Sequence, residues 1–223
     1  MKRVLGCVTI GQSPRDDIVP ELHSWMEDHH VEIFEVGALD GLSQKEIQDW
    51  KPRDGHNVLV TRLASGESVL LEEEKLLHRV QRVFEQIQSH VSAILLLCTG
   101  TFPKLNAEVP VFYPDKILSH FISGVLWGPD VHLGILTPSI QQSEQQLKRW
   151  RAVAPNVEIR VASPYGDLTD LTQEAKSFAH GVEMVLLDCM GYSKQMKSLV
   201  QEQVSYPVLL AREVVGRTLA AVI

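Results

Sequence analysis

Residues 93–102 read A-I-L-L-L-C-T-G-T-F, and residues 184–193 read M-V-L-L-D-C-M-G-Y-S. Each segment is an apolar run that ends in Cys-x-Gly, a pattern typical of a buried strand at the point where it leaves a sheet. A second matched pair precedes them, with L-G-C-V-T at residues 5–9 and L-G-I-L-T at residues 133–137. Because the same order occurs twice, the sequence predicts an internal duplication with Cys98 and Cys189 at equivalent places.

The segments between these motifs alternate between short apolar runs and stretches of helical period. The helical period is clearest over residues 71–90, where Leu76, Val80, Val83 and Ile87 recur on one face. Strands that alternate with helices favour right-handed βαβ units and a mostly parallel sheet. The predicted fold is therefore α/β, with two pseudo-symmetric lobes that each contain a mostly parallel sheet flanked by helices.

The predicted boundaries place residues 1–113 with 211–223 in the first lobe and residues 114–210 in the second, with a cleft between them. The first half is longer between its two motifs than the second. Residues 57–62 and 68–71 are extended runs around A-S-G-E, which predicts a protruding hairpin. Ser43 and Glu46 form a capping-box pattern for a short helix, and Ser13 is predicted to cap a helix that begins at Pro14.

Composition narrows the class of protein. The 223 residues are 44% hydrophobic with a net charge of −7, which gives no reason to expect a nucleic acid or an anionic membrane surface as a partner. No stretch approaches the ~20 apolar residues of a membrane span, and the run after Lys2-Arg3 is too short for a signal peptide. Three cysteines fit a reducing compartment, so we expect a cytoplasmic protein.

Metal and cofactor signals are weak in this sequence. Nine histidines form no H-E-x-x-H pattern, and the cysteines form no Cys-x-x-Cys pattern. Gly11 and Gly100 are single glycines after strands rather than a G-x-G-x-x-G fingerprint. We therefore expect no metal site and no cofactor.

The candidate site lies at the carboxyl ends of the strands, where parallel sheets bind their ligands. If the two lobes share a cleft, the thiols of Cys98 and Cys189 approach one carbon from opposite faces, roughly 6–8 Å apart. One thiolate then removes a proton next to a carboxylate, and the opposing thiol returns one. The residues expected to bind the substrate are Gly11, Ser13, Arg15, Thr99, Gly100, Thr101, Thr137, Pro138, Ser139, Met190, Gly191 and Tyr192.

Other interpretations of these residues stay open. Cys189 could instead act as a covalent nucleophile, and a cysteine at a strand end is often only a small core residue, as we expect for Cys7. Arg15 and Arg62 could bind a carboxylate or serve as structural arginines. Asp188 would oppose ionisation of the second thiol if its carboxylate points into the cleft.

The cysteine pair, the G-Q-S loop after the first strand and the L-T after the middle strand resemble the aspartate/glutamate racemase superfamily. Within it, V-T-I-G-Q-S-P-R-D-D, V-L-L-D-C-M-G-Y and Y-P-V-L-L-A-R resemble the AroM family over essentially the full length. The resemblance implies a two-lobed α/β fold and a cofactor-independent enzyme for carboxylated substrates.

The cysteine motifs depart from the superfamily pattern. Racemases typically carry Cys-Asn-Thr and Gly-Cys-Thr, whereas this chain has Cys98-Thr99-Gly100 and Asp188-Cys189-Met190. The expected function is a cofactor-independent isomerase or racemase-like enzyme for a small carboxylated metabolite other than a standard amino acid, with a homo-oligomer left open. The alternative is a non-catalytic metabolite-binding or regulatory protein that uses the same cleft.

Overall fold

Two four-stranded parallel sheets form the framework of the protein. The computed structural model describes residues 3–26, 30–52, 56–126, 128 and 130–223. Its contacts divide the chain into two compact units, Met1–Asp115 with Leu219–Ile223, and Lys116–Thr218. The predicted α/β class, with a parallel sheet and flanking helices in each of two lobes, is confirmed.

The first unit contains the sheet with strand order β2-β1-β5-β6. Its strands and helices are β1 (Arg3–Thr9), α1 (Val19–Ser24), β2 (Val31–Gly37), α2 (Gln44–Gln48), β3 (Val58–Arg62), β4 (Ser68–Glu72), α3 (Glu73–Ile87), β5 (Ala93–Leu96) and β6 (Val111–Phe112). Strands β3 and β4 pair antiparallel as a separate two-stranded element, which confirms the predicted hairpin. The long amphipathic helix predicted over residues 71–90 is α3, whose apolar face packs into the core of this unit.

The second unit contains the sheet with strand order β10-β9-β7-β8. Its elements are α4 (Pro114–Val125), which begins two residues before the unit does, β7 (His132–Thr137), a 3₁₀ turn (Ile140–Gln142), α5 (Ser143–Arg151), β8 (Asn156–Val161), α6 (Leu168–Lys176), β9 (Met184–Leu187), α7 (Lys194–Gln201), β10 (Val208–Leu210) and α8 (Ala211–Val222). Two clusters of buried side chains cover this sheet, and adjacent residues of β9 alternate between them. None of the described helices is long and apolar enough to span a membrane.

The strand registers confirm the duplication residue by residue. In the first unit Val8 pairs with Leu96, and the Leu97 N–H donates to the Val8 carbonyl at 2.8 Å. In the second unit Leu136 pairs with Leu187, and the Asp188 N–H donates to the Leu136 carbonyl at 2.9 Å. The two sheet orders are equivalent as well, so Cys98 and Cys189 occupy matching positions, each two residues beyond the end of its strand.

One predicted helix start is wrong. Helix α1 begins at Val19 rather than Pro14, and its N-cap residue Ile18 makes no side-chain cap. Ser13 instead donates its hydroxyl to Asp40, and the Ser13–Pro14 peptide is cis. The predicted capping box of α2 is confirmed, since Ser43 and Glu46 hydrogen-bond each other's backbone N–H groups.

Candidate active site

The first candidate thiol lies in a tight turn after β5. The Cys98 N–H donates to the Leu96 carbonyl at 2.8 Å, so the chain turns immediately after the strand. The Gly100 N–H then points back at the sulfur, with 3.3 Å between the nitrogen and Cys98 Sγ. The Cys98 side chain is partly buried rather than enclosed in the core.

The second thiol repeats this geometry in the other unit. The Gly191 N–H lies 3.3 Å from Cys189 Sγ, and Cys189 is also partly buried. A backbone N–H aimed at a sulfur stabilises negative charge on that sulfur more than it stabilises a neutral thiol. Both candidate thiols therefore carry the same built-in donor, which a cysteine that served only as apolar packing would not require.

The third cysteine is different. Cys7 lies within β1, fully surrounded by core residues. Burial raises the pKa of its thiol far above the ordinary range, and the nearby charge of Glu35 adds to the effect. Cys7 is thus a neutral core residue, as the sequence predicts.

An ion pair between buried Arg15 and partly buried Asp17 lies next to the candidate site in the first unit. Arg15, only 4% exposed, donates Nε and Nη2 to the two carboxylate oxygens of Asp17 at 2.8 and 2.9 Å. It also donates Nη1 to Thr9 Oγ1 at 3.0 Å, and its backbone N–H donates to Glu35. These contacts fix the Arg15 guanidinium at the end of β1.

The environment of Asp17 favours its charged form. Burial alone would raise the pKa of this carboxyl, but the hydrogen bonds and charge of Arg15, with the charge of Arg62, outweigh it and lower the pKa. The Arg62 guanidinium lies 3.8 Å from Asp17. The carboxylate is therefore held between two arginines, which keeps both guanidinium groups near the loop after β1.

Asp40 organises the loop that contains Ser13. Its two carboxylate oxygens accept the Ser13 N–H at 2.9 Å, the Ser13 hydroxyl at 2.6 Å and the Gly37 N–H at 2.7 Å. The Ser13 hydroxyl thus donates its proton to Asp40. Toward any other group the Ser13 oxygen can only accept a hydrogen bond, through its lone pairs. Asp40 lies 27 residues from Ser13 and is a site residue that sequence reasoning missed.

The β3–β4 hairpin is attached to the same loop. The Gln12 N–H donates to the Arg62 carbonyl at 3.3 Å, and the Ala64 N–H donates to Gln12 Oε1 at 2.9 Å. Gly11 approaches the hairpin so closely that a Cβ on it would lie 2.3 Å from the Arg62 carbonyl oxygen. Glycine is required at position 11 because the hairpin backbone occupies the space of a side chain.

Gly11→Ala is accordingly expected to lower the free energy of unfolding by about 1–3 kcal/mol, because the backbone must shift to admit the methyl group. The matched control is Gly124→Ala, since a Cβ at Gly124 in α4 meets nothing within 4 Å. That substitution is expected to be neutral or to stabilise by up to about 1 kcal/mol. Urea unfolding of the two variants measures both values, and equal midpoints would contradict the predicted clash.

In the second unit, the residue before the thiol is a buried carboxylate. Asp188 Oδ2 accepts Trp150 Nε1–H at 2.8 Å and lies 3.4 Å from Arg149 Nη1. The Arg149 guanidinium also stacks on the Trp150 ring at 4.4 Å. One oxygen of this carboxylate is therefore turned toward α5, where it faces a cation.

A buried arginine supports the turn around Cys189. Arg212 is fully buried and donates Nε to the Met190 carbonyl at 2.8 Å, and its Nη2 donates to the same oxygen.

Tyr192 is also fully buried and donates its hydroxyl to the Ala162 carbonyl. Burial raises the pKa of Tyr192 well above its ordinary value, with smaller contributions from Cys189, Asp188 and Tyr165. Tyr192 is therefore a neutral anchor of the turn.

The predicted residues after β7 have distinct environments. Thr137 is fully buried, and no hydrogen-bond partner for its hydroxyl is found among the described residues. Ser139 accepts the Gln141 N–H as the cap of the 3₁₀ turn, and Pro138 is partly buried between them. An uncommitted hydroxyl at a strand end is a candidate donor for a ligand.

The predicted residues divide between the two units. Gly11, Ser13, Arg15, Cys98, Thr99, Gly100 and Thr101 follow β1 and β5 of the first sheet, whereas Thr137, Pro138, Ser139, Cys189, Met190, Gly191 and Tyr192 follow β7 and β9 of the second. Thr99 is buried and Thr101 is exposed.

Within residues 3–26, 30–52, 56–126, 128 and 130–223, no group of three or more His, Cys, Asp or Glu side chains could hold a metal ion. The roles of these residues toward a substrate stay predictions.

Sequence reasoning missed Trp150, Arg149 and Arg212 as parts of the Cys189 environment. Arg212 ends the Y-P-V-L-L-A-R motif, but a charged residue in the first turn of a helix ordinarily indicates a solvent-facing side chain. Trp150 and Asp188 are 38 residues apart, and no local pattern joins them.

Solved structures with this fold include several enzymes. A glutamate racemase from Bacillus anthracis matches with 13% identity and a TM-score of 0.60, covering 99% of this chain and 81% of its own. An allantoin racemase from Pseudomonas fluorescens matches with 13% identity and a TM-score of 0.56, covering 98% and 89%. A maleate isomerase from Pseudomonas putida S16 matches with 10% identity and a TM-score of 0.59, covering 100% and 92%. These likenesses show a common fold.

No curated protein has a sequence that matches this chain significantly. The sequence profile described as AroM protein matches residues 5–223, nearly the entire chain. The match includes both Cys-x-Gly turns, the Arg15–Asp17 pair and Arg212. The chain therefore belongs to the AroM family.

Proposed function

We propose that this protein is a cofactor-independent isomerase or racemase-like enzyme that transfers protons between two thiols and a small carboxylated substrate. The observation that carries the proposal is the equivalence of Cys98 and Cys189, each beyond a matching strand and each accepting an N–H at 3.3 Å from the glycine two residues on. Two unrelated core cysteines have no reason to share this donor. Enzymes that share the fold include two racemases and an isomerase by name, which agrees with the proposed class.

The proposed reaction begins with one cysteine as a thiolate and the other as a thiol. The thiolate takes the proton from the carbon next to the carboxylate, so that a C–H bond breaks, an S–H bond forms and the electron pair moves into the carboxylate. The opposing thiol then donates its proton to the other face of that carbon. The carbon is inverted, the two sulfurs have exchanged protonation states, and no electron is gained or lost.

The enediolate that forms needs hydrogen-bond donors. The Gly100 and Gly191 N–H groups donate to the sulfurs, so the donor that we assign to the enediolate is the uncommitted hydroxyl of Thr137. Ser13 would act as an acceptor for a substrate hydroxyl or amine, because its own proton is bound by Asp40. In this proposal the buried residues Thr99, Met190 and Tyr192 support the two thiol turns and contribute no charge to the site.

The substrate of this proposal differs from a standard amino acid. The cysteine motifs contain Gly100 and Met190 at the two positions where the racemase pattern quoted above has threonine. Glycine offers no side-chain hydrogen-bond acceptor for an ammonium group, and methionine offers only a weak one, its thioether sulfur. A short hydroxy acid or dicarboxylic acid, recognised mainly through its carboxylate, suits this set of residues better.

The proposal is tested by incubating the protein in D₂O with short hydroxy acids, dicarboxylic acids and amino acids, and following the α-proton by NMR. We expect protein-dependent deuterium incorporation into at least one carboxylate. Parallel thermal melts identify compounds that bind, because a ligand of the folded state raises the melting temperature. Compounds that bind without exchange would favour the alternative of a metabolite-binding protein and would contradict the proposed activity.

A further inference from the structure

The loop that follows β8 packs on the turn that contains Cys189. It consists of residues 162–166, A-S-P-Y-G. The Ala162 N–H donates to the Thr137 carbonyl at 3.0 Å, and the Ala162 carbonyl accepts the buried Tyr192 hydroxyl. The loop is therefore attached both to the end of β7 and to the Cys189 turn.

Two hydrogen bonds fix the backbone on either side of Tyr165. The Tyr165 N–H donates to Ser163 Oγ at 3.1 Å, and the Gly166 N–H donates to the Ser163 carbonyl at 3.1 Å. Pro164 is buried, and its Cγ lies 2.9 Å from the position that a Cβ on Gly191 would take. The loop thus has one defined conformation against the turn.

The hydroxyl end of the Tyr165 ring contacts the same glycine. Tyr165 Oη lies 2.6 Å, and Cζ 2.9 Å, from the position of a Cβ on Gly191. The Gly191 N–H is the group that donates to Cys189 Sγ at 3.3 Å. A single residue therefore separates the phenol from the sulfur.

The phenol and the sulfur are both accessible from solvent. Cys189 and Tyr165 are each partly exposed, whereas residues 190–192 of the turn are buried. A group that binds the carboxylate of a substrate has to lie beyond the reacting carbon, roughly 5–8 Å from the sulfur that attacks it. A phenol separated from the sulfur by one residue suits that requirement.

We infer that Tyr165 binds the carboxylate of the substrate in the Cys189 half of the site, with its hydroxyl as the donor. The inference deepens the proposed function and rests on it. A hydrogen bond from a phenol to a charged carboxylate is stronger than one between two neutral groups. Tyr165 follows β8, which pairs with β7, so it adds a second donor next to the strand that ends at Thr137.

The test compares two alkylating reagents of similar size, iodoacetate and iodoacetamide, of which only the first contains a carboxylate. In each case the Cys189 thiolate attacks the CH₂ carbon, a C–S bond forms and iodide leaves. Labelling of the Cys189 peptide is followed by mass spectrometry, and the ratio of the iodoacetate rate to the iodoacetamide rate is calculated. Iodoacetamide reports the reactivity of the thiol itself, so the ratio measures recognition of the carboxylate.

Tyr165→Phe keeps the ring against Gly191 and removes only the hydroxyl. It is expected to lower the ratio at Cys189 about tenfold, the effect of one hydrogen bond to a charged group. The matched control is Tyr206→Phe, which removes a hydroxyl that donates to the Ala175 carbonyl in the same unit and should leave the ratio unchanged. An unchanged ratio in Tyr165→Phe, or an equal fall in Tyr206→Phe, would overturn the inference.

A packing role alone gives a different result. Phenylalanine fills the same space, and a loosened turn would change the rates of both reagents together, so the ratio would stay the same and the inference would fail. Alkylation requires no turnover, so the outcome does not depend on the D₂O experiment. A fall in the ratio without deuterium exchange would reject the enzyme class and keep Tyr165 as a carboxylate-binding residue. Exchange with an unchanged ratio would keep the enzyme class and reject the role of Tyr165.

Discussion

Replacing either Cys98 or Cys189 with serine is expected to reduce α-proton exchange by about 10²–10⁴-fold, the usual contribution of a positioned acid or base. A serine hydroxyl keeps the shape of the thiol but is a far weaker acid. If each thiol serves one face of the substrate, each variant should lose the exchange of one enantiomer more than that of the other. The measurement is the initial rate of deuterium incorporation from each enantiomer of the best substrate.

The control for this prediction is Cys7→Ala. Burial and the charge of Glu35 raise the pKa of the Cys7 thiol far above neutrality, so it cannot supply a thiolate. Its replacement should leave the exchange rate near that of the wild type. Wild-type rates in both serine variants would refute a role for the pair.

Asp188→Leu is expected to lower the free energy of unfolding by about 3–5 kcal/mol, as for other buried pairs that lose one partner. The substitution leaves the Trp150 indole N–H without its acceptor at 2.8 Å, and it leaves Arg149 without the carboxylate at 3.4 Å. The equivalent position in the first unit is Leu97, itself buried, so a leucine has a suitable shape in this fold. Urea unfolding measures the loss.

Two further variants separate the hydrogen bond from the charge. Asp188→Asn keeps an acceptor for Trp150 and removes only the charge that faces Arg149, so its loss should be smaller than that of Asp188→Leu by about 1 kcal/mol, the typical contribution of one hydrogen bond. Trp150→Phe removes the donor, so Asp188→Leu combined with Trp150→Phe should cost less than the two single changes together. Additive losses would show that the two side chains act independently.

The duplication could be predicted from the sequence because it is recorded in local motifs. The L-G-x-x-T and Cys-x-Gly segments fall at matching places in β1 and β7 and beyond β5 and β9, and the strand registers align them residue by residue. The hairpin and the capping box of α2 could also be predicted, since each depends on residues that are close in sequence.

The surroundings of the thiols could not be predicted in the same way. Ser13 has every local feature of a helix cap, but its hydroxyl is bound by Asp40 from a different loop. The preceding strand and the hairpin then fix the loop before α1 begins at Val19. Contacts such as that between Asp188 and Trp150 depend on the packing of α5 against the sheet, which no single segment specifies.

The two halves of the duplication have the same thiol turn but different neighbours. Cys98 follows an apolar residue, Leu97, and lies beside the hairpin, whereas Cys189 follows the charged Asp188 and a turn held by Arg212. Such differences suit a pair of thiols that treat the two faces of a substrate unequally.

The stereochemical course in D₂O tests the central claim most directly. One enantiomer of the exchanging substrate is incubated with the protein, and deuterium is measured in both enantiomers at early times. If separate thiols serve the two faces, the product enantiomer carries deuterium while the remaining starting enantiomer still carries hydrogen. Equal deuterium in both enantiomers from the start, or no exchange with any carboxylate tested, would contradict two-thiol proton transfer.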